Sequence, residues 1–180
     1  KAHSKAHSKS YSKTYSKVEN KVTDYLVSLP SDRIIEPHGG TLIQQYHNKL
    51  NVTELKGLSC LEIDEKVESD VIQISEGVYS PIKGFMDFDE LQSVLDNNKL
   101  LDGNIWTLPI LLQLKEKDAR RLPHKGMIML KSGKRNAIFA LLDIQKIQKI
   151  KSMINISNKW FGTDDINHPG VFDFLNSGEY

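Results

Sequence analysis

Cysteine and long apolar runs are both scarce in this sequence. Cys60 is the only cysteine among 180 residues, so no intrachain disulfide can form, and it is better explained as a small buried side chain than as a nucleophile. A single thiol predicts a reducing, cytoplasmic setting. No apolar run approaches the ~20 residues that span a bilayer, and the first residues lack the order of a secretory signal. We therefore expect a soluble protein with no membrane partner, of one domain and a tail.

Acidic residues are missing from the first 17 residues, which carry five lysines in a four-residue repeat. Residues 18–180 hold the remaining 19 basic residues against 23 acidic ones, a formal charge of −4, which argues against a nucleic-acid partner. Helical spacing would align His3 with His7 as metal ligands, but a Ser-rich segment of this length is a poor helix. Residues 1–17 are therefore predicted to be a disordered, solvated basic tail.

An amphipathic pattern follows the tail. Apolar residues recur at helical spacing through residues 18–29 and stop at Pro30, which predicts an N-terminal helix and linker over residues 18–32. Residues 37–42 then read Pro-His-Gly-Gly-Thr-Leu. This segment could cradle a phosphate, with His38 as acid or base, but it lacks the Lys-Ser/Thr pair and the helix of such loops. A turn between two extended segments is the favoured interpretation.

The most informative stretch is residues 77–86, in which two glycines and a Ser-Pro pair stand among five apolar side chains. Pro81 is expected at the second position of a turn, and Gly84 where the backbone needs positive φ or a close approach. The apolar side chains would anchor this turn in the core. On this interpretation the substitution Gly84→Val is expected to unfold the domain.

A capped helix is predicted directly after this turn. Asp87 is a good N-cap, and Glu90 stands three residues later, as in a capping box. Met86 and Leu91 have the spacing of a hydrophobic staple. Apolar residues then recur at helical spacing, which predicts a helix over residues 87–97. The stretch is thus a buried turn that leads into a helix, and this pattern alone assigns it no catalytic role.

The remaining patterns predict a mixed α and β domain. An Asp-Gly turn predicts entry to a strand through residues 107–114, with Pro109 at an edge or a bulge. Residues 115–125 carry five basic side chains, but acids dilute them, so a solvated loop is favoured over a nucleic-acid groove. The other predicted elements are helices over residues 64–76 and 149–160 and a β-hairpin of residues 127–130 and 137–144.

The last motif contains a histidine with two open interpretations. His168 could be catalytic, with Asp164 or Asp165 orienting its ring. The favoured alternative is a helix that begins at Pro169, with the apolar residues at 171, 172, 174 and 175 packed inward.

Five segments, in this order and spacing, resemble the family of sulfate adenylyltransferase, or ATP sulfurylase. They lie at residues 37–42, 77–86, 101–110, 161–164 and 168–171, and the resemblance covers residues 33–180. We expect the matching residues to be structural. They are Pro37, His38, Gly39, Gly40, Gly77, Tyr79, Ser80, Pro81, Gly84, Phe85, Met86, Gly103, Trp106, Pro109, His168, Pro169 and Gly170.

The resemblance implies an α+β fold, with a PUA-like small β-barrel and peripheral helices over residues 33–180. The full enzyme joins ATP and sulfate, with Mg²⁺, to give adenosine 5′-phosphosulfate and pyrophosphate. In the family this chemistry belongs to a C-terminal domain with a Gln-x-Arg-Asn-Pro motif and a Gly-Arg-Asp-His segment. The four arginines of this chain stand in neither context. The resemblance therefore implies no catalytic, cofactor-binding or metal-binding residue in this chain.

Three interpretations are open at this point. The leading one is the non-catalytic N-terminal half of a sulfate adenylyltransferase, inactive alone. Its partner is then a C-terminal catalytic domain, on the same or a separate chain, that binds ATP and Mg²⁺; a homo-oligomer of the full enzyme is compatible with this. The second is a stand-alone PUA-like module that binds RNA, with the basic tail adding salt-sensitive affinity. The third is a protein-docking domain for a separately encoded catalytic chain.

Overall fold

The computed structural model describes residues 35–46 and 52–180. Pro37–Tyr180 form one compact unit. The tail predicted at residues 1–17 and the helix predicted at 18–32 lie outside the described residues. The elements of the unit are a 3₁₀ helix at Val52–Leu55, then β1 (Cys60–Ile63), α1 (Glu65–Glu76), α2 (Phe88–Asn97), α3 (Glu116–Arg121), β2 (Gly126–Ser132), β3 (Ala137–Ile144), α4 (Met153–Phe161) and α5 (Pro169–Ser177).

A three-stranded sheet in the order β1-β2-β3 gives the unit its mixed α and β character. β1 runs parallel to β2, and β3 runs antiparallel to β2, with a register shift after Leu130. The antiparallel pair confirms the predicted hairpin. Leu61 and Ile63 on β1, and Ile128 and Leu130 on β2, are buried at alternate positions. Since side chains alternate along a strand, one face of the sheet meets the core.

The helices on either side of the Gly77 turn begin and end where the sequence predicts. Asp64 caps α1 by accepting a backbone N–H at 2.9 Å, and Gly77 ends it with φ +79°. Asp87 caps α2 by accepting from the N–H of Glu90 at 3.0 Å. The Glu90 carboxylate, however, accepts from the N–H of Leu101 at 3.0 Å. It therefore ties α2 to a later loop instead of closing a capping box.

The strand predicted over residues 107–114 is wrong. The Ile110 carbonyl accepts from Met86, whereas Leu114 exchanges both of its backbone hydrogen bonds with Tyr180. These partners belong to separate loops, so no single neighbouring strand forms a ladder with this segment. Pro109 is buried, not at an exposed edge.

The loop predicted over residues 115–125 is also wrong in part, because α3 occupies its first half. Acidic residues stand in the first turn of α3 and two arginines in the last, the order that the helix dipole favours. Arg120 pairs with Glu116 at 2.5 Å and Arg121 with Asp118 at 2.9 Å. The basic side chains are thus partly neutralised within the helix.

The two last helices follow their predictions with two differences. α4 begins at Met153, four residues later than predicted, after Ser152 with φ +57°. α5 begins at Pro169 as predicted, and its Val171 and Phe174 are buried. Phe172 is 52% exposed, so its predicted inward packing is wrong. It lies one residue beyond the buried position 171, about 100° further around the helix.

The core consists of three clusters of buried apolar side chains. One lies under the sheet, one beside the Gly77 turn, and one between α2, α4 and α5. Their buried members are Leu61, Ile63, Leu114, Ala119, Leu122, Ile128, Leu130 and Ile144 in the first, Ile74, Ile82, Val94, Leu100 and Ile110 in the second, and Leu91, Ile156 and Phe174 in the third.

Candidate functional site

Residues 37–42 form a compact turn, as the favoured interpretation predicts. The N–H of Gly40 donates to the Pro37 carbonyl at 2.8 Å, and Gly39 and Gly40 both have positive φ. A Cβ placed on Gly39 would lie 3.0 Å from Pro81, so this turn rests directly on the second motif. No helix begins after it, since the chain continues as irregular backbone to residue 46. The phosphate-loop alternative therefore lacks the helix N-terminus it needs.

Ser80 joins the first motif to the second. Its buried hydroxyl donates to the Gly77 carbonyl at 2.6 Å and accepts from the N–H of Ile43 at 2.9 Å. Both hydrogen-bonding roles of the hydroxyl are thus filled by backbone groups. Pro81 follows through a cis peptide bond and stands at the third position of a turn closed from the N–H of Ile82 to the Tyr79 carbonyl at 2.8 Å. The predicted second position of Pro81 is therefore wrong.

The two glycines of this motif differ in a way that the sequence did not predict. Gly77 has φ +79°, and a Cβ there would lie 2.7 Å from the Ile43 carbonyl oxygen and 2.8 Å from Leu42. Gly84 has no positive φ, and a Cβ there would meet nothing within 4 Å. The conformational demand predicted for Gly84 therefore falls on Gly77, which ends α1.

Trp106 brings the third motif to the first two. Its ring lies 6.0 Å from Tyr79, edge to face, and 6.2 Å from His38. The His38 ring N–H at Nε2 donates to the Ile105 carbonyl at 2.6 Å. His38 is therefore held against the third motif by one nitrogen. We call residues 37–42, 77–86 and 98–108 together the motif junction.

Tyr79 links the junction to α1. Its hydroxyl donates to Asp70 at 3.0 Å. Partial burial raises the pKa of the Asp70 carboxyl above its ordinary value, and the hydrogen bond from Tyr79 opposes this rise. Burial, followed by the bond to Asp70, also raises the pKa of the Tyr79 hydroxyl. The hydrogen bond thus joins α1 to the junction through two groups whose pKa values are both raised.

The fifth motif lies elsewhere, at the turn between α4 and α5. The His168 ring accepts from the N–H of Val171 through Nδ1 at 3.4 Å, so it caps α5. The Asp165 carboxylate accepts from the backbone and side chain of Asn167, both at 2.9 Å. His168 packs beside Phe161, with ring centroids 5.4 Å apart. The structure thus uses this histidine as the cap of a helix that begins at Pro169, the start that the favoured alternative predicts.

Gly170 allows the close approach of α4 and α5. A Cβ placed there would lie 2.6 Å from the Phe161 ring. That ring stacks on Trp160 with centroids 4.8 Å apart, and Trp160 meets Phe174 edge to face at 5.5 Å. We call this region, residues 160–175, the aromatic hairpin.

A buried ionic contact was missed by the sequence interpretation. Glu68 on α1 is 5% exposed. Its carboxylate accepts from the Ser132 hydroxyl at 2.5 Å and pairs with Arg135 at 3.0 Å. The signal that could have found it is its spacing, three and four residues before Val71 and Ile72, on the apolar side of α1. The contact anchors α1 to the hairpin.

A cavity of about 1140 Å³ opens beside the end of the second motif. Gly84, Phe85 and Met86 lie along it, together with apolar residues of α1 and β3. Among residues 35–46 and 52–180, no group of three or more His, Cys, Asp or Glu side chains is placed to hold a metal ion. In the same part of the chain, no helix is long and apolar enough to cross a membrane.

Comparison with known proteins places this fold in a family. The family model described as "PUA-like domain" matches residues 35–180, which is most of the chain. The chain belongs to the PUA-like domain family.

This PUA-like domain is similar to curated sulfate adenylyltransferases. The one from Cenarchaeum symbiosum is 31% identical over 151 residues, which are 83% of this chain and 38% of the relative. The one from Ignicoccus hospitalis is 33% identical over 153 residues, 82% of this chain and 39% of the relative. The chain thus spans less than two-fifths of the length of these relatives.

Two further proteins that match this domain are also longer than this chain. A "Probable bifunctional SAT/APS kinase 2" from Sorangium cellulosum is 31% identical over 81% of this chain and only 25% of the relative. A solved structure described as a hexameric APS kinase from Thiobacillus denitrificans has a TM-score of 0.58 and 26% identity. It covers 64% of this chain and 24% of that chain. The PUA-like domain is therefore one part of longer polypeptides in these relatives.

Proposed function

We propose that this chain is the N-terminal, non-catalytic domain of a sulfate adenylyltransferase. The proposal depends on two quantities from the comparison, the share of this chain that is matched and the share of each relative that is matched. About four-fifths of this chain matches relatives with that name, while more than three-fifths of each relative lies outside the match. The domain limits of the proposal are a tail at 1–17, a helix and linker at 18–32, and the PUA-like domain at 33–180, with the small barrel predicted from the family resemblance.

The contacts of the motif residues support a structural role. The polar groups of Ser80 hold two backbone segments together, and the ring nitrogens of His38 and His168 described above each meet a backbone group. A general acid or base must instead reach the substrate with its titrating atom. These side chains build the domain, and we assign none of them to the chemistry.

ATP and Mg²⁺ are assigned to the catalytic part of the enzyme. Mg²⁺ is bound through one or two carboxylates and substrate phosphates. In the described ranges, the Asp165 carboxylate accepts a hydrogen bond from the Asn167 N–H. The buried Glu68 carboxylate accepts from the Ser132 hydroxyl and pairs with Arg135. These residues do not fit a magnesium site, so we derive no catalytic step through this chain. We place the complete enzyme in the cytoplasm, and a homo-oligomer of it stays a prediction.

The experiment that tests the proposal is a fusion enzyme. Residues 1–180 are joined to the part of the Cenarchaeum symbiosum sulfate adenylyltransferase that lies outside the match, and ATP formation from adenosine 5′-phosphosulfate and pyrophosphate is measured. We expect turnover by the fusion and none by the 180-residue chain alone. The variants His38→Asn and His168→Asn should keep the kcat of the fusion within about twofold, since neither ring contacts the reacting atoms.

Three results would sink the proposal: a fusion that folds but shows no turnover, turnover by the isolated chain, or a loss of kcat of roughly 100-fold or more in a folded histidine variant, the size expected for a lost acid or base.

A further inference from the structure

The motif junction exposes several large apolar side chains. Soluble monomers seldom expose large contiguous apolar patches, and those that do use them for interactions. Leu101 is 62% exposed and Ile105 64%. Of the twelve large apolar side chains that are exposed in the described residues, five belong to the junction. Those in the junction are Leu42, Val78, Leu101, Ile105 and Leu108.

Contacts across the junction bring these side chains to one region. The Leu42 side chain lies against Gly77, directly beside Val78. On the other side, Ile105 accepts the His38 hydrogen bond. The bridge between Lys99 and Ile105 folds residues 98–106 into a tight hairpin, which carries Leu101 at its turn. We call the exposed apolar side chains of Leu42, Val78, Leu101, Ile105 and Leu108 the junction face.

The hairpin that carries the face is held by defined hydrogen bonds. The N–H of Leu101 donates to Glu90 at 3.0 Å, the N–H of Asn104 to Asp102 at 2.9 Å, and the N–H of Trp106 to the Asn98 carbonyl at 2.9 Å. A surface fixed in this way loses little conformational entropy on binding. The face is therefore preorganised for a partner.

The junction contains few charged residues, namely Lys83, Lys99 and Asp102. The hydrogen bonds from Asn104 lower the pKa of the Asp102 carboxyl, and the positive charge of Lys83 adds to this effect. A surface for nucleic acid would present an excess of basic side chains along a phosphate backbone. An apolar face with few charges fits a protein partner, since interface cores are depleted of charge.

We propose that the junction face is the surface on which the catalytic part of a sulfate adenylyltransferase docks. The occupant is argued from chain length, because more than three-fifths of each matched relative lies outside the domain and is large enough to cover this face. This inference rests on the proposed function, and it adds the residues that make the contact. Leu101 and Ile105 are its centre.

The experiment uses the fusion enzyme with a protease site placed between residue 180 and the catalytic part. After cleavage, we expect the wild-type chain to stay bound to the catalytic part on gel filtration. The double variant Leu101→Asp/Ile105→Asp should separate from it, with a Kd raised roughly tenfold or more by the loss of two buried aliphatic side chains. The matched control is Ile154→Asp/Phe172→Asp on α4 and α5, at positions 51% and 52% exposed. The control should stay bound, and unchanged melting curves should show that both variants fold.

Each other outcome decides against the proposal. The proposal is overturned if the cleaved wild-type chain separates from the catalytic part, or if the Leu101→Asp/Ile105→Asp chain stays bound to it. It is also overturned if the control variant loses binding to the same extent. Sedimentation of the 180-residue chain alone tests a different occupant. If the wild-type chain is a dimer and the Leu101→Asp/Ile105→Asp chain is a monomer, the face binds a second copy of this chain instead. Turnover is read on the uncleaved fusion, so a failure of docking with an active fusion leaves the proposed function standing.

Discussion

The motif junction and the aromatic hairpin both consist of family-motif residues, but different forces hold them. In the junction, three segments far apart in sequence are joined by hydrogen bonds of Ser80 and His38 with backbone groups. In the aromatic hairpin, two consecutive helices meet through stacked rings and the absence of a side chain at Gly170. The junction buries Ile82 and Leu100 but exposes five other aliphatic side chains, whereas the hairpin buries Val171 and Phe174 and exposes Ile166 and Phe172. Both regions thus contribute to the core, and the junction presents the larger number of exposed aliphatic side chains.

The largest effect is expected from Gly77→Ala in the junction. The new Cβ would meet the Ile43 carbonyl oxygen at 2.7 Å in a backbone with φ +79°. Strain and overpacking together should lower the free energy of unfolding by about 3 kcal/mol, measured by urea denaturation. Gly84→Ala is the matched control, and it should change stability by no more than about 1 kcal/mol in either direction. Equal losses in the two variants would show that the junction does not depend on the Gly77 turn.

A smaller loss is expected from Gly170→Ala in the aromatic hairpin. The Phe161 ring must move, because a Cβ would lie 2.6 Å from it. Overpacking should cost about 1 to 2 kcal/mol, partly offset by the better helix propensity of alanine.

A double-mutant cycle with Phe161→Leu isolates this contact. Gly170→Ala should cost less in the Phe161→Leu background than in the wild type, measured by thermal or urea unfolding. An identical cost in both backgrounds would mean that the ring is not what confines position 170.

The smallest effect is a pH dependence at the junction. The pKa of Asp70 is raised in the folded state, so the folded state binds this proton more tightly than the unfolded state does. The ionised carboxylate therefore reduces stability above the folded pKa, and this cost disappears as the pH falls below the unfolded value. Asp70→Asn keeps an oxygen acceptor for Tyr79 and should be the more stable protein at pH 7. Its advantage should shrink as the pH is lowered through the titration of Asp70. An advantage that is constant with pH would contradict the raised pKa.

Local features of the fold were predictable, and the contacts of the candidate site were less so. The cap at Asp87 depends on residues within one turn, so sequence alone indicates it. The strand predicted at 107–114 failed because its backbone partners, Met86 and Tyr180, lie outside any regular ladder. The burial of Glu68 depends on Arg135 in a distant hairpin. Such partners cannot be read from a pattern of apolar residues.

The sequence by itself determined the capped helices, the hairpin, the turn after α1 and the family of the domain. These follow from short-range spacing and from motifs in a fixed order. Only the tertiary structure decided that three motifs meet at Trp106, that Gly77 and not Gly84 requires a glycine, and that His168 caps a helix. The physical reason is that steric demand and hydrogen-bond partners depend on atoms supplied by residues far away in the chain.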